Sequence, residues 1–181
     1  MTVFELEQII AQYGTTIYSF CLHLTGVREW ADELYQDTFL MAMEHIEQLH
    51  NDEAANPKSY LLSVAVRLWK NKRRKVAWRK RIAPEQSMDA PGSEAITGEA
   101  YVTDSIETEV LRTEERQYVR RAVDALPEKY RIVVLLYYME ELSVAQIASL
   151  LRVPVGTVKS RLHQARKLLR QQLTEVWLDD N

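Results

Sequence analysis

At 181 residues the chain exceeds a common single domain, leaving one large domain or two small ones, and 46% hydrophobic content with only five Gly and five Pro disfavours turn-rich β architectures. One cysteine, Cys21, excludes an intramolecular disulfide framework and suits a reducing cytoplasm. No run nears the roughly 20 apolar residues of a membrane span, and the first ten residues lack the basic start of a signal peptide. The net charge of −3 hides its segregation: residues 1–57 sum to −9, 58–83 to +10 with no acid, 84–129 to −6 and 130–181 to +2, which predicts one basic and one polyanionic partner.

Apolar residues recur at three- and four-residue steps from Phe4 to about Leu24, through Ile9, Ile10, Tyr13, Ile17, Phe20 and Cys21, predicting an amphipathic helix. The period restarts after Gly26 and runs through Trp30, Leu34, Phe39, Met43 and Ile46. Asn56-Pro57 opens a third helix, because proline is well placed in a first turn, and Leu61, Val64, Ala65 and Leu68 are its expected buried stripe. Residues 83–105, APEQSMDAPGSEAITGEAYVTDS, are rich in Pro, Gly, Ser and acids without a lasting period and read as a mobile linker.

Helical character resumes near Ile106 and restarts at Pro127. It starts again at Ser143, where Ser143 and Gln146 have the Ser-x-x-Gln spacing of a capping box. A three-residue break, RVP, leads to the last helix. The run IVVLLYY is β-prone but stands in a helical context, so the expected architecture is all-α, in two lobes.

Two short helices across a tight turn, the second with an exposed polar face, form a helix-turn-helix pattern. Val158, Leu162, Ala165 and Leu169 share the packing face of that second helix. Lys159, Ser160, His163, Gln164 and Lys167 then point outward, with Arg161 and Arg166 on the flanks. Long donors and short hydroxyls suit base edges in a major groove, while flanking cations suit phosphates. Periodicity alone fits a merely solvated helix equally well; the capping box, the turn and PVGTV shift the balance to DNA reading.

From these residues a resemblance follows. ALPEKYRIVVLLYYMEELSVAQIASLLRVPVGTVKSRLHQARKLLR closely resembles region 4 of bacterial sigma factors of the extracytoplasmic-function group. Gln146 stands where Glu is usual, and Gln164 where Arg is common. WADELYQDTFLMAM is similar to region 2.2 of the same family, and NPKSYLLSVAVRLWKNKRRKVAWRKR to regions 2.3–2.4, with Arg67 where the family usually has Asn. The resemblance covers about residues 5–82 and 106–174 and leaves no room for regions 1.1 and 3.

It implies a non-catalytic, cytoplasmic alternative sigma factor with two small helical domains. These are a region 2 bundle over 1–82 and a region 4 helix-turn-helix over 106–174, joined by a flexible acidic linker over 83–105 and followed by a tail over 175–181. Asp32, Glu33, Gln36, Asp37 and Phe39 would dock on the β′ clamp helices of core RNA polymerase, and region 4 would meet the β flap. Arg67, Lys70, Asn71, Arg74 and Lys75 would engage the −10 element. Thr157, Lys159, Ser160, Arg161, His163, Gln164 and Arg166 would engage the −35 element, with Lys159, Ser160, His163 and Gln164 facing bases. Family habit adds an anti-sigma factor. Ten positive charges over 58–83 predict binding that weakens steeply with salt. Trp69 and Trp78 are suited either to stacking on unpaired bases or to packing on neighbouring helices.

Cys21-x-His23 falls on the apolar face of the first helix without a Cys-x-x-Cys partner, and reads as structural rather than metal-binding. His45 and His50 lie near the end of the second helix without a third ligand. With no nucleophile–base set or phosphate-binding Gly-rich loop, no cofactor, metal or intrinsic catalysis is expected. Two rivals remain. A helix-turn-helix repressor or activator would bind duplex DNA without polymerase. A helical adaptor or anti-sigma-like protein would leave both the +10 segment and PVGTVKSR without a purpose.

Overall fold

The computed structural model describes residues 3–44, 56–82 and 109–179, and divides the chain into two units, residues 1–96 and 97–181. Among the described residues every regular element is helical and none is a strand. The linker expected over 83–105 lies outside the described residues, as do His45, Ile46 and His50.

The first unit packs three helices on one another: α1 (Val3–Thr25), α2 (Arg28–Glu44) and α3 (Pro57–Ile82). Gly26, at φ 70°, supplies the left-handed residue that ends α1, while Thr25 Oγ1 donates to the Val27 carbonyl at 3.0 Å. At Gly14 a Cβ would sit 3.0 Å from the Tyr35 hydroxyl, so glycine permits the close approach of α1 and α2 there. At the start of α3, Asn56 Oδ1 accepts from the Lys58 N–H at 3.0 Å, which caps the helix in the place where proline predicted its opening.

Ile17, Phe20, Cys21 and Leu24 of α1, Ala31, Leu34, Phe39 and Ala42 of α2, and Leu61, Leu62, Val64, Ala65, Val66 and Trp69 of α3 form the core. The buried arc of α3 is wider than one stripe because α3 packs against both α1 and α2. Leu68, expected inside, is half-buried, and Trp69 takes the buried place, its ring edge-on to Trp30 at 5.4 Å. On α2, likewise, Ala42 is buried and the expected core residue Met43 is exposed.

The second unit contains α4 (Glu109–Asp124), α5 (Glu128–Val134), which continues as a π-helical turn over Leu135–Met139, α6 (Val144–Leu151) and α7 (Val155–Asp179). The β-prone run is helical. Ile132, Val133, Val134, Leu135 and Leu136 are all buried because α5 and its π turn meet α4, α6 and α7 on successive sides. Arg131 Nη1 donates to the Asp124 carbonyl at 3.0 Å and so satisfies the last turn of α4. Helix α7 runs to Asp179.

The two tryptophans of α3 differ sharply, Trp69 being 3% exposed and Trp78 63%. Trp69→Ala is expected to destabilise the first unit by about 3–5 kcal/mol through the cavity it leaves, and Trp78→Ala to stay within about 0.5 kcal/mol of the parent. Denaturant unfolding monitored by circular dichroism checks both.

Candidate functional site

In the second unit the turn between α6 and α7 is built from local signals. Ser143 Oγ accepts from the Gln146 N–H at 3.2 Å, and Gln146 Oε1 accepts from the Ser143 N–H at 2.8 Å, which closes both halves of the capping box. Arg152 takes the left-handed conformation at φ 54°, ψ 50°, and the Val153 N–H returns to the Ala148 carbonyl at 3.0 Å. The Pro154 carbonyl then accepts the Thr157 N–H at 2.9 Å as α7 begins.

Val158, Leu162 and Ala165 are buried and set the rotation of α7; Leu169 is half-buried. Lys159, Ser160, His163, Gln164, Arg166 and Lys167 are consequently exposed, while Thr157 and Arg161 are half-buried at the edges. Ser160 Oγ donates to the Thr157 carbonyl at 3.0 Å, leaving its lone pairs outward. Arg166 is held rather than loose: its Nε donates to the Tyr138 hydroxyl at 2.8 Å, and its guanidinium stands 5.9 Å from the rings of both Tyr137 and Tyr138. Tyr138 went unnoticed in the sequence because it lies 28 positions from Arg166 and reaches it through the π turn.

In the first unit Arg67, Lys70, Asn71, Arg74 and Lys75 are all exposed on α3. Arg74 Nη2 and Asn71 Oδ1 stand 3.5 Å apart on the same face. Lys72 turns the other way. It pairs with Glu33 of α2, and its ammonium lies 4.4 Å from the centre of the Trp30 ring.

The acids of α2 divide. Asp32 is half-buried and accepts from the Tyr18 hydroxyl at 2.8 Å, a bond that holds the Tyr18 phenol above its usual range. Glu33 faces Lys72, and Gln36 and Asp37 are exposed. Phe39, expected to dock, is only 6% exposed and packs on Tyr35 at 4.9 Å, so it belongs to the core. The apolar part of the exposed face comes instead from Leu40, 59% exposed, and Met43, one and two turns beyond Gln36. Their signal was present in the sequence, since both fall off the stripe that Ala31, Leu34 and Thr38 bury. Cys21 is buried, and desolvation pushes its thiol up to about 12, which leaves it inert at neutral pH.

Comparison with known proteins matches both units. The family model for sigma-70 region 2 aligns with residues 9–79, and that for sigma-70 region 4 with residues 116–169. Among curated relatives, the extracytoplasmic-function RNA polymerase sigma factor SigW of Bacillus subtilis is 31% identical over 173 residues, covering 93% of this chain and 88% of its own length. The extracytoplasmic-function sigma factor SigL of Mycobacterium tuberculosis is 29% identical over 171 residues, covering 94% and 90%. Among solved structures, the sigma factor RpoE of Bartonella quintana, crystallised with the anti-sigma factor NepR, has the same fold. Its TM-score is 0.71 at 22% identity, over 95% of this chain and 98% of that one.

Because the capping box secures the start of α6, Ser143→Ala is expected to lower the stability of the second unit by about 0.5–2 kcal/mol. Thermal denaturation of the two proteins side by side measures this.

Proposed function

The chain belongs to the sigma-70 family, in its extracytoplasmic-function group, and on that premise we propose how its exposed faces divide the work. A sigma factor is a specificity subunit of RNA polymerase and carries out no catalysis itself, so the partners are core polymerase and promoter DNA. On α2, Gln36 and Asp37 with Leu40 and Met43 dock on the β′ clamp helices, flanked by Asp32 and Glu33. An acidic and apolar face suits a basic protein surface.

On α3, Arg67, Lys70, Asn71, Arg74 and Lys75 meet the −10 element and assist its melting. On α7, Lys159, Ser160, His163 and Gln164 reach base edges of the −35 element, while Thr157, Arg161 and Arg166 bear on phosphates; the second unit also meets the β flap. The domain limits are those of the family regions, 1–82 and 106–174, with 83–105 as linker. An anti-sigma factor holds the protein inactive, in keeping with the complex in which RpoE was crystallised. The site of action is the cytoplasm, and no helix among the described residues is long and apolar enough to cross a membrane.

The observation carrying this reading is that the first unit exposes, on adjacent helices, both the 36–43 face of α2 and the cationic 67–75 face of α3. A repressor or activator that binds duplex DNA unaided has no use for the former, and an adaptor none for the latter.

Multi-round transcription on a promoter library, with core polymerase and the protein together and each alone, provides the test. Start sites that require both establish the reading; a protein that shifts duplex DNA alone and adds nothing to core supports a repressor instead. Gln164→Ala is expected to relax preference at one −35 position, costing about 1–3 kcal/mol of discrimination. Arg74→Ala should weaken binding to all promoters alike and reduce the logarithmic salt slope by about one, as read by titration at several salt concentrations.

A further inference from the structure

Tyr138 and Arg166 meet at one flank of α7. At 100° per residue, Arg166 stands roughly 20° from Lys159 in projection, while Arg161 lies roughly 140° round, on the opposite flank. Arg166 is exposed, and its Nε donates to the Tyr138 hydroxyl at 2.8 Å. That oxygen belongs to a side chain 54% exposed, which hangs from the π turn and not from α7. The Tyr138 ring is set edge-on to the half-buried Tyr137 ring, at 4.9 Å and 80°, a contact that fixes where it stands.

The donors of this pair are only partly used by each other. A guanidinium is a rigid fork of N–H donors; Nε is committed to Tyr138, and the hydrogens of Nη1 and Nη2 remain. The phenol oxygen accepts in that bond, so its own hydrogen is left to donate. Two exposed groups side by side, one of them cationic and both still able to donate, match an anion with several acceptor oxygens. A helix about 10–12 Å across fills a major groove about 12 Å wide, so the phosphates of a bound duplex run beyond its flanks and not over its face. A hydroxyl that reaches the flank from a neighbouring turn stands where that backbone passes.

The geometry points to Tyr138 as a backbone contact of the −35 element: Tyr138 Oη and the Nη atoms of Arg166 donate together to one phosphate, with the Nε–Oη bond holding the guanidinium in place for it. The inference rests on the sigma-factor reading, which lays α7 in the −35 duplex. Tyr138 then adds affinity and register on one strand and no base preference, because a phosphate is the same in every sequence.

The test uses the protein bound to core polymerase, with binding to promoters recovered from the library measured by titration. Tyr138→Phe keeps the ring and removes only the hydroxyl. It is expected to weaken binding roughly 2- to 10-fold, the range of one hydrogen bond, and by the same factor on every −35 sequence. A neutral methylphosphonate walked along the −35 backbone should find one position at which wild type and Tyr138→Phe become equal, and Arg166→Ala should lose its deficit at the same position. Tyr138→Phe binding as well as wild type overturns the inference alone. So does a deficit that survives methylphosphonate at every position, the mark of a purely internal brace. A deficit in core binding, or one that varies with −35 sequence, also overturns it, by making Tyr138 a polymerase or base contact. Absence of core-dependent transcription by the wild type overturns the sigma-factor reading, and this inference with it.

Discussion

Burial of one side of α3 is the constraint on which the first unit depends. Leu61, Leu62, Val64, Ala65, Val66 and Trp69 are shared between α1 and α2, and the Trp30–Trp69 contact at 5.4 Å closes the end of that interface. A helix so anchored has no rotational freedom left. Its opposite side, where Arg67, Asn71 and Arg74 stand, is therefore presented in a fixed orientation without any polar contact having to hold it. Apolar burial, of about 1.5–3 kcal/mol per large side chain, outweighs the exposed Glu33–Lys72 pair, whose kind contributes about 0–1 kcal/mol. The charges are carried by the fold and do not build it.

The second unit follows the same logic with different means. Val158, Leu162 and Ala165 lock the rotation of α7, while the capping box and the left-handed Arg152 fix where the helix before it starts and stops. The π turn at Leu135–Met139 adds something that regular helix would not. Its extra residue brings Tyr138 to the surface beside Arg166, 28 positions away, and so orders a guanidinium on the edge of the cationic face.

Segregation of charge runs through the first unit. The −9 of residues 1–57 and the +10 of residues 58–83 lie next to each other in the chain, and Glu33 of α2 pairs with Lys72 of α3 across them. Gln36 and Asp37 on one helix, and Arg67, Arg74 and Lys75 on the other, remain exposed. Exposed charge of one sign favours an outside partner of the opposite sign.

The sequence by itself determined what depends on neighbours three or four positions away. The break at Gly26, the start at Pro57, the Ser143–Gln146 box and the apolar rows of α1 and α7 were all legible, because caps and amphipathic periods are properties of one helix. The tertiary structure alone decided which flanking positions are covered. Phe39 went inside and Leu40 out, Trp69 replaced Leu68 in the core while Trp78 stayed in water, and Tyr138 reached Arg166. In each case the deciding atoms belong to a second or third helix. A period of 3.6 residues locates the centre of a buried face, but its edges are set by how many helices press on it and from what direction.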